Sequence, residues 1–438
     1  MNILHYALGF PPYRTGGLTK YAIDLAREQV MEGHNVSLIW PGEIKLIGKK
    51  NKIRKRSLVL GINSFEIINP LPVSYDEGIV DIKAFTSNGD KQIYIDFLKE
   101  NNIEVLHIHT FMGLHKELVD AAKELGIRTV YTSHDFFMIC PKVTLCQNGR
   151  LCNDVASCKA CPECNVNALS NKKMIILQSP LYRTLKDSSL VKSLRKRHRD
   201  TALNEEAVSE DKPVNSADDY IRLRAFYKSI YEEIDYIHFN SSVSKMIYDK
   251  YFGEHKGQVI SISHEKIRDN KKEKNFSDEL RITYIAAPSA AKGYYMLLDT
   301  LDRLYEEGKR FSLNTPFISP VERQYLYSFG HFESDELGKI FDDTDLLIAP
   351  SVWYETFGFT VLEALSYGVP VVISDHVGAK DIIPDDSLLM FKDEEELYQI
   401  LKDIDKTELK KLNKNIIKNV KIKLLSEHAK ELEKEAYR

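Results

Sequence analysis

At 438 residues the chain is long enough for two domains with separate cores. Its 43% hydrophobic and 28% charged residues fit a globular protein, and a net charge of −4 excludes a wholly basic nucleic-acid binder. No run of about 18 apolar residues occurs, so no transmembrane span is expected; the opening MNILHYALGF reads as a strand rather than a leader and points to the cytoplasm.

Asn2 to Leu8 reads as a buried strand. A loop follows from Gly9 to Gly17, and then Leu18, Tyr21, Ala22, Leu25 and Ala26 mark one apolar face of a helix. Gly33-His34 ends that helix, and Val36 to Trp40 is the next strand. This βαβ opening predicts a doubly wound parallel sheet. Gly16-Gly17 is not a dinucleotide fingerprint; taken alone it is a turn. Glu43 to Asn102 is charged and irregular, with a helix near Lys91 to Lys99. Val105 to His109 is a strand in which His107 and His109 alternate with Leu106 and Ile108, and they read as structural. A helix follows over Lys116 to Leu125, then a strand over Arg128 to Ser133. His134-Asp135 ends that strand, where a polar pair either faces a ligand crevice or caps the next turn.

All six cysteines lie between Cys140 and Cys164, which suits one local device better than dispersed disulfides. Cys140, Cys146, Cys152 and Cys158 have five residues between neighbours, and Cys158, Cys161 and Cys164 have two. Closely spaced thiolates of this kind can converge on one ion, with reduced, unliganded thiols as the alternative. Asn171 to Asp200 holds nine Lys or Arg against two Asp, and Leu177, Leu181 and Leu185 repeat every four residues. An apolar stripe beside a basic face suits an anionic membrane surface; a solvated helix packed on its own domain is the bland alternative. Asp219 to Ile234 is a helix, Tyr236 to Asn240 a strand and Val259 to Ile262 the last strand of this half.

Asp269 to Glu279 looks like a linker. Arg281 to Ala286 opens a second sheet, and Lys292-Gly293 opens the helix Tyr294 to Glu307. Leu346 to Ala349 is a short strand, Pro350 to Gly358 a loop, Phe359 to Tyr367 a helix and Val369 to Ser374 a buried strand. The loop Thr356-Phe357-Gly358-Phe359 presents free backbone N–H groups at a helix start, where an anion can sit. Glu355 and Glu363, with seven residues between them, put acceptor-only carboxylates beside it. A ligand carrying phosphate and hydroxyls fits this combination. From Thr407 to Tyr437 the pattern predicts one long helix.

The run P-S-x-x-x-E-x-F-G-x-x-x-x-E-A-x-x-x-G-x-P-V from Pro350 to Val371 resembles the donor-site signature of retaining GT-B glycosyltransferases of the family 4 type. The resemblance is strong from Asp345 to Ile383 and looser elsewhere. It implies two Rossmann-like domains facing a cleft: residues 1–264 (with the cysteine loop 140–164 and a basic insert 165–218), residues 265–420 for the donor, and 421–438 as a helix crossing back to the first domain. It implies a nucleotide-diphosphate sugar donor, no catalytic metal and a glycan or lipid-linked acceptor in surface polysaccharide or glycoconjugate synthesis. That would place the protein in the cytoplasm, at the inner face of the plasma membrane. By resemblance His134 is the active-site histidine, Glu355 bonds the sugar near its anomeric centre and Glu363 holds the ribose. Lys292 and the Thr356–Phe359 loop then meet the donor's phosphates, and Gly16 and Gly17 meet its phosphates or its sugar. Some relatives carry a similar cysteine loop, which suggests Cys140, Cys152, Cys158 and Cys161 as ligands of a structural zinc.

One departure stands out. The family usually has an Arg three to five residues before this Lys, and here Ala287 to Ala291 stand in its place. The stretch from Arg281 to Asp345 is also short enough to lack a βα unit. Two rival readings follow: a catalytically silent GT-B partner or glycan-binding protein, and a nucleotide-sugar epimerase on the same fold.

Overall fold

The computed structural model describes residues 1–438 except 13, 46, 49, 75–77, 148, 155 and 186–212. Two sheets organise it. The first has the order β10-β9-β6-β5-β1-β2-β4-β3. Its strands are β1 (Asn2–Tyr6), β2 (Asn35–Pro41), β3 (Lys52–Lys55), β4 (Asn63–Ile68), β5 (Val105–Ile108), β6 (Arg128–Thr132), β9 (Tyr236–Phe239) and β10 (Gly257–Val259). All its pairings are parallel except β3 with β4. A small ribbon, β7 (Cys146–Gln147) with β8 (Arg150–Leu151), lies in the cysteine loop. The second sheet is wholly parallel, in the order β13-β12-β11-β14-β15-β16. It comprises β11 (Leu280–Thr283), β12 (Phe311–Thr315), β13 (Leu326–Ser328), β14 (Leu346–Ala349), β15 (Val371–Ser374) and β16 (Leu389–Phe391).

The central strands are apolar on both faces because helices cover both. In β1 and β5, however, His5 sits level with His107 and both are fully buried. In β6 and β9, Thr132 sits level with His238, again fully buried. These polar groups form a seam through the sheet beneath the first helix, Gly17–Met31.

The second sheet shows the shortening read from the sequence. β12 and β13 run parallel, yet residues 316–325 join them without a helix. A face normally covered by that helix is open, and its residues alternate accordingly. Leu280, Ile282, Phe311 and Leu313 point into the core, while Arg281, Thr283, Ser312 and Asn314 line a groove of about 370 Å³.

The expected long terminal helix is two helices, Lys406–Asn419 and Leu425–Ala436. Val420 to Leu424 is extended between them, and Val420 and Ile422 are buried there. The break has a packing reason. Leu409, Leu412 and Ile416 belong to the second domain, whereas Leu425, Ala429, Leu432 and Ala436 are buried where the chain meets the first. One straight rod cannot serve both surfaces. The closing helix lies on Gly17–Met31: Tyr21 Oη and His428 Nε2 are 2.7 Å apart, and Gln29 Nε2 donates to Tyr437 Oη at 2.9 Å. Arg128 Nε donates to the Ala436 carbonyl at 2.9 Å.

Leu432 is fully buried in this contact. Leu432→Ala should lower stability by about 2–5 kcal/mol, read as a fall in the denaturant midpoint, because it leaves a cavity in the apolar contact between the closing helix and the first domain.

Candidate active site

The second domain supplies one wall. Strand β14 ends at Ala349, and the loop to Gly358 turns the chain over the carboxyl end of the sheet. Gly358 has φ 104°, a Cβ there would meet Val377 Cγ1 at 3.0 Å, and the helix Phe359–Ser366 begins with no side-chain cap. The loop is held from below: Glu355 N donates to the His376 carbonyl and Gly378 N to the Glu355 carbonyl, both at 3.0 Å.

A second helix start abuts this loop. Gly293 has φ 72°, and a Cβ on it would lie 1.7 Å from the Pro350 carbonyl oxygen, so only glycine allows the approach. That contact delivers Lys292 to Glu355, and the two side chains form an ion pair. Trp353 Nε1 and Ser351 Oγ each donate to Glu355 Oε1 at 3.2 Å. The Lys292 ammonium also lies 4.6 Å from the Trp353 ring centroid. Burial pushes the Glu355 carboxyl up, but the Lys292 charge and these hydrogen bonds outweigh it and hold the group below the usual range.

Glu363 lies one turn into its helix. Its Oε1 is 3.1 Å from Nε2 of the buried His264, off the axis of a proper hydrogen bond. His264 packs edge-on against Phe359 at 5.1 Å. No motif in the sequence pointed to His264 or Trp353, and Ser351 stood in the run from Pro350 without an assigned role. Phe357, by contrast, is 3% exposed and belongs to the core, so its ring does not face the cleft.

The first domain supplies the facing wall. A Cβ on Gly17 would meet the Phe359 ring at 3.7 Å, so Gly16-Gly17 approaches the helix start after Gly358. Gly16 also begins its helix without a side-chain cap. Thr356 Oγ1 donates to the His134 carbonyl at 3.1 Å, joining the two walls. The His134 ring packs on Tyr21 at 4.6 Å, and its Nε2 lies 3.3 Å from His109 Nδ1. Protein surrounds His134 although it keeps some solvent contact, and burial lowers its pKa to about 3. Asp135 points elsewhere. It accepts from Thr110 Oγ1 at 2.9 Å and Phe137 N at 3.0 Å, and burial raises its pKa to about 6.

The cysteines do not assemble as the resemblance suggested. The Cys161 thiol hydrogen-bonds Cys158, lowering Cys158 to about 7, and Cys161 is raised in turn. Four thiolates on zinc sit about 3.8 Å apart, given Zn–S bonds of about 2.3 Å. Among the described residues, three ligand-capable atoms within 4.8 Å of one another occur at His5, His107 and His109 and at Glu32, His34 and Glu433, and no cysteine takes part. Cys140, Cys152, Cys158 and Cys161 therefore do not form a tetrathiolate pocket as their side chains stand. Of the basic insert, Asn171–Leu177 and Pro180–Leu185 are helical; residues 186–212 lie outside the described residues. Met174 is buried against the first domain, while Ile176 and Leu181 are exposed. No described helix is long and apolar enough to cross a membrane.

Residues 15–148 match the family model Glycosyltransferase Family 4, and residues 326–423 match Glycosyl transferases group 1. The sulfoquinovosyl transferase SQD2 of Arabidopsis thaliana is 30% identical over 109 residues, which is 24% of this chain and 21% of that protein. The chain spans only 15–36% of the length of the curated relatives it matches. Over whole chains, sucrose-phosphate synthase from Thermosynechococcus elongatus aligns with TM-score 0.59 at 13% identity, covering 99% of this chain and 97% of that one. The α,α-trehalose-phosphate synthase (UDP-forming) from Burkholderia xenovorans aligns with TM-score 0.58 at 10% identity and 100% of both chains. With one glycosyltransferase model matched in each half and full-length structural likeness throughout, the chain has the GT-B fold of glycosyltransferases of the family 4 type.

Proposed function

We propose that this protein transfers a sugar, with retention, from a nucleotide-diphosphate donor to the hydroxyl of a glycan or lipid-linked acceptor. The observation that carries the reading is the meeting of three glycine-led helix starts, after Gly16, Gly293 and Gly358, none closed by a side-chain cap. Each offers free N–H groups and a partial positive charge to an anion. Lys292 adds a full charge beside two of them. Together they suit the diphosphate, where negative charge develops as the sugar leaves. No catalytic metal is part of this reading.

In this scheme the bond from the anomeric carbon to the diphosphate oxygen breaks. The acceptor oxygen bonds to the same face, and its proton passes to the departing phosphate oxygen. Glu355 accepts from the sugar hydroxyls, Glu363 from the ribose and His134 meets the sugar from the opposite wall. Lys292 turns from Glu355 towards the diphosphate, or bridges both. The Arg that the family pattern would place near Ala287 to Ala291 needs a replacement. Arg323 is committed to Asp302, with both carboxylate oxygens at 2.8 Å. Arg14, on the loop before Gly16, makes no ion pair among the described residues, and we assign the second cation to it. The exposed Ile176 and Leu181 beside basic residues suit docking at an anionic surface that carries the acceptor.

A thermal-shift screen with UDP, GDP, ADP and their sugars tests the reading, UDP first because a structural neighbour is named UDP-forming. One nucleotide should raise the melting temperature, and with its sugar Glu355→Ala should lose about 10²–10³-fold in turnover. No shift with any nucleotide contradicts the proposal, and undiminished turnover in Glu355→Ala refutes that residue's role.

The Lys292–Glu355 pair gives a separate check without substrate. A depressed carboxyl contributes stability that is present above its unfolded value of 4.5 and is lost as pH falls through the folded value. Lys292→Met leaves only the Trp353 and Ser351 hydrogen bonds against burial, so the variant loses the stability that ionisation of Glu355 gives the parent. The melting-temperature gap between parent and variant should widen from about pH 4 to pH 7; a gap independent of pH contradicts the assigned pair.

A further inference from the structure

The histidines of the first sheet are not isolated core residues. His134 Nε2 meets His109 Nδ1 at 3.3 Å, and His109 Nε2 meets His5 Nδ1 at 2.9 Å. His5 Nε2 meets Gln29 Oε1 at 2.7 Å, and Gln29 Nε2 donates to Tyr437 Oη at 2.9 Å. Tyr437 Oη meets His107 Nδ1 at 2.8 Å, and His107 Nε2 meets Thr132 Oγ1 at 2.7 Å. Thr132 Oγ1 meets His238 Nδ1 at 2.9 Å, and His238 Nε2 meets the Ile260 carbonyl at 2.7 Å. Apart from His134 at the cleft, every side chain in the run is buried.

The direction of every bond follows from the far end. A carbonyl only accepts, so His238 carries its proton on Nε2. Burial keeps these imidazoles neutral: His5 and His238 fall to about 4, His134 to about 3, and His107 and His109 also fall well below the usual value. A neutral imidazole has one donor and one acceptor, so His238 Nδ1 accepts from Thr132 and Thr132 accepts from His107 Nε2–H. His107 Nδ1 then accepts from Tyr437, which accepts from the Gln29 amide. Gln29 Oε1 accepts from His5 Nε2–H, His5 Nδ1 from His109 Nε2–H and His109 Nδ1 from His134 Nε2–H. Reversing Gln29 forces each later link to reverse and ends with a lone pair of His238 against the Ile260 carbonyl. The same count shows why the His5, His107 and His109 trio is no metal site: all six ring nitrogens are already bonded.

We propose that this one-way chain of eight hydrogen bonds, set by the Ile260 carbonyl and completed by Tyr437 and Gln29, fixes His134 as the Nε2–H tautomer and presents its Nδ1 to the cleft as an acceptor only. No described protein group bonds that Nδ1, and it is not among the buried unpartnered atoms. His134 thus takes a hydrogen bond from a hydroxyl and gives none to a phosphate. This consequence rests on the donor-site reading above; the tautomer itself does not. Tyr437 and Gln29 are positioning residues that act through His109.

Nitrogen-15 NMR of the full histidine-labelled chain at neutral pH tests this, with His134→Gln used only to assign the signal. The expected result is a neutral Nε2–H signature for His134 in the parent and a mixture with Nδ1–H in Tyr437→Phe, which keeps the ring. Gln29→Leu breaks the same chain from the other helix and should give the same mixture. An Nδ1–H or charged His134 in the parent overturns the proposal, as does an unchanged tautomer in a folded Tyr437→Phe or Gln29→Leu. With a donor from the nucleotide screen, Tyr437→Phe should lower kcat about tenfold with the donor KM within about twofold, a split that general loosening does not give. The NMR requires no donor, so failure of the donor reading and failure of the relay are told apart.

Discussion

Tyr437 bonds Gln29 of the first helix and His107 of the first sheet, although the chain reaches it directly from the second domain. The cleft depends on that return. Val420 to Leu424 crosses between the domains, and Lys271 Nζ and Ser263 Oγ donate to the Val420 and Lys423 carbonyls on the way. Closer to the cleft, Ser242 Oγ donates to Asp381 Oδ1 and Thr356 Oγ1 to the His134 carbonyl. These polar ties sit beside an apolar contact in which Ile3, Tyr21 and Leu25 of the first domain share one buried cluster with Val361, Leu365 and Ile373 of the second.

Within that frame, the second wall is built by backbone approach. Gly293 against the Pro350 carbonyl and Gly358 against Val377 let two helix starts and one loop converge where no side chain fits. The cation and the carboxylate that result neutralise each other in a partly buried place, where leaving either unpaired is costly. A ligand that brings both negative phosphates and hydroxyl donors can replace each half of the pair at once. Phosphate alone, or sugar alone, satisfies only one of them.

Much of this wall was legible before the fold. Glu355, Gly358 and Glu363 lie within nine residues on one strand-loop-helix unit, so local geometry carries their relation. Lys292 and Glu355 are 63 positions apart, and their pairing is tertiary. His264 and the Tyr437 link were illegible for the same reason: partners far along the chain leave no local spacing to read. The break at Val420 to Leu424 was hidden because the apolar repeat continues through it; only the demand that its two parts serve different domains reveals it. The cysteine spacing brought the thiols into one neighbourhood, where Cys140 feels Cys152 and Cys164, but spacing does not specify the rotamers that a shared ion would need. The missing helix after β12 was legible as a shortage of residues, since 316–325 are too few for a crossover helix.

The central claim is that the glycine-led helix starts and Lys292 hold a diphosphate. The most direct measurement is calorimetric binding of the stabilising nucleoside diphosphate against its bare nucleoside, in the parent and in Lys292→Met. The account predicts that the parent prefers the diphosphate by at least about tenfold, or 1.4 kcal/mol, and that Lys292→Met loses most of that preference. Equal binding of nucleoside and diphosphate in the parent would contradict it.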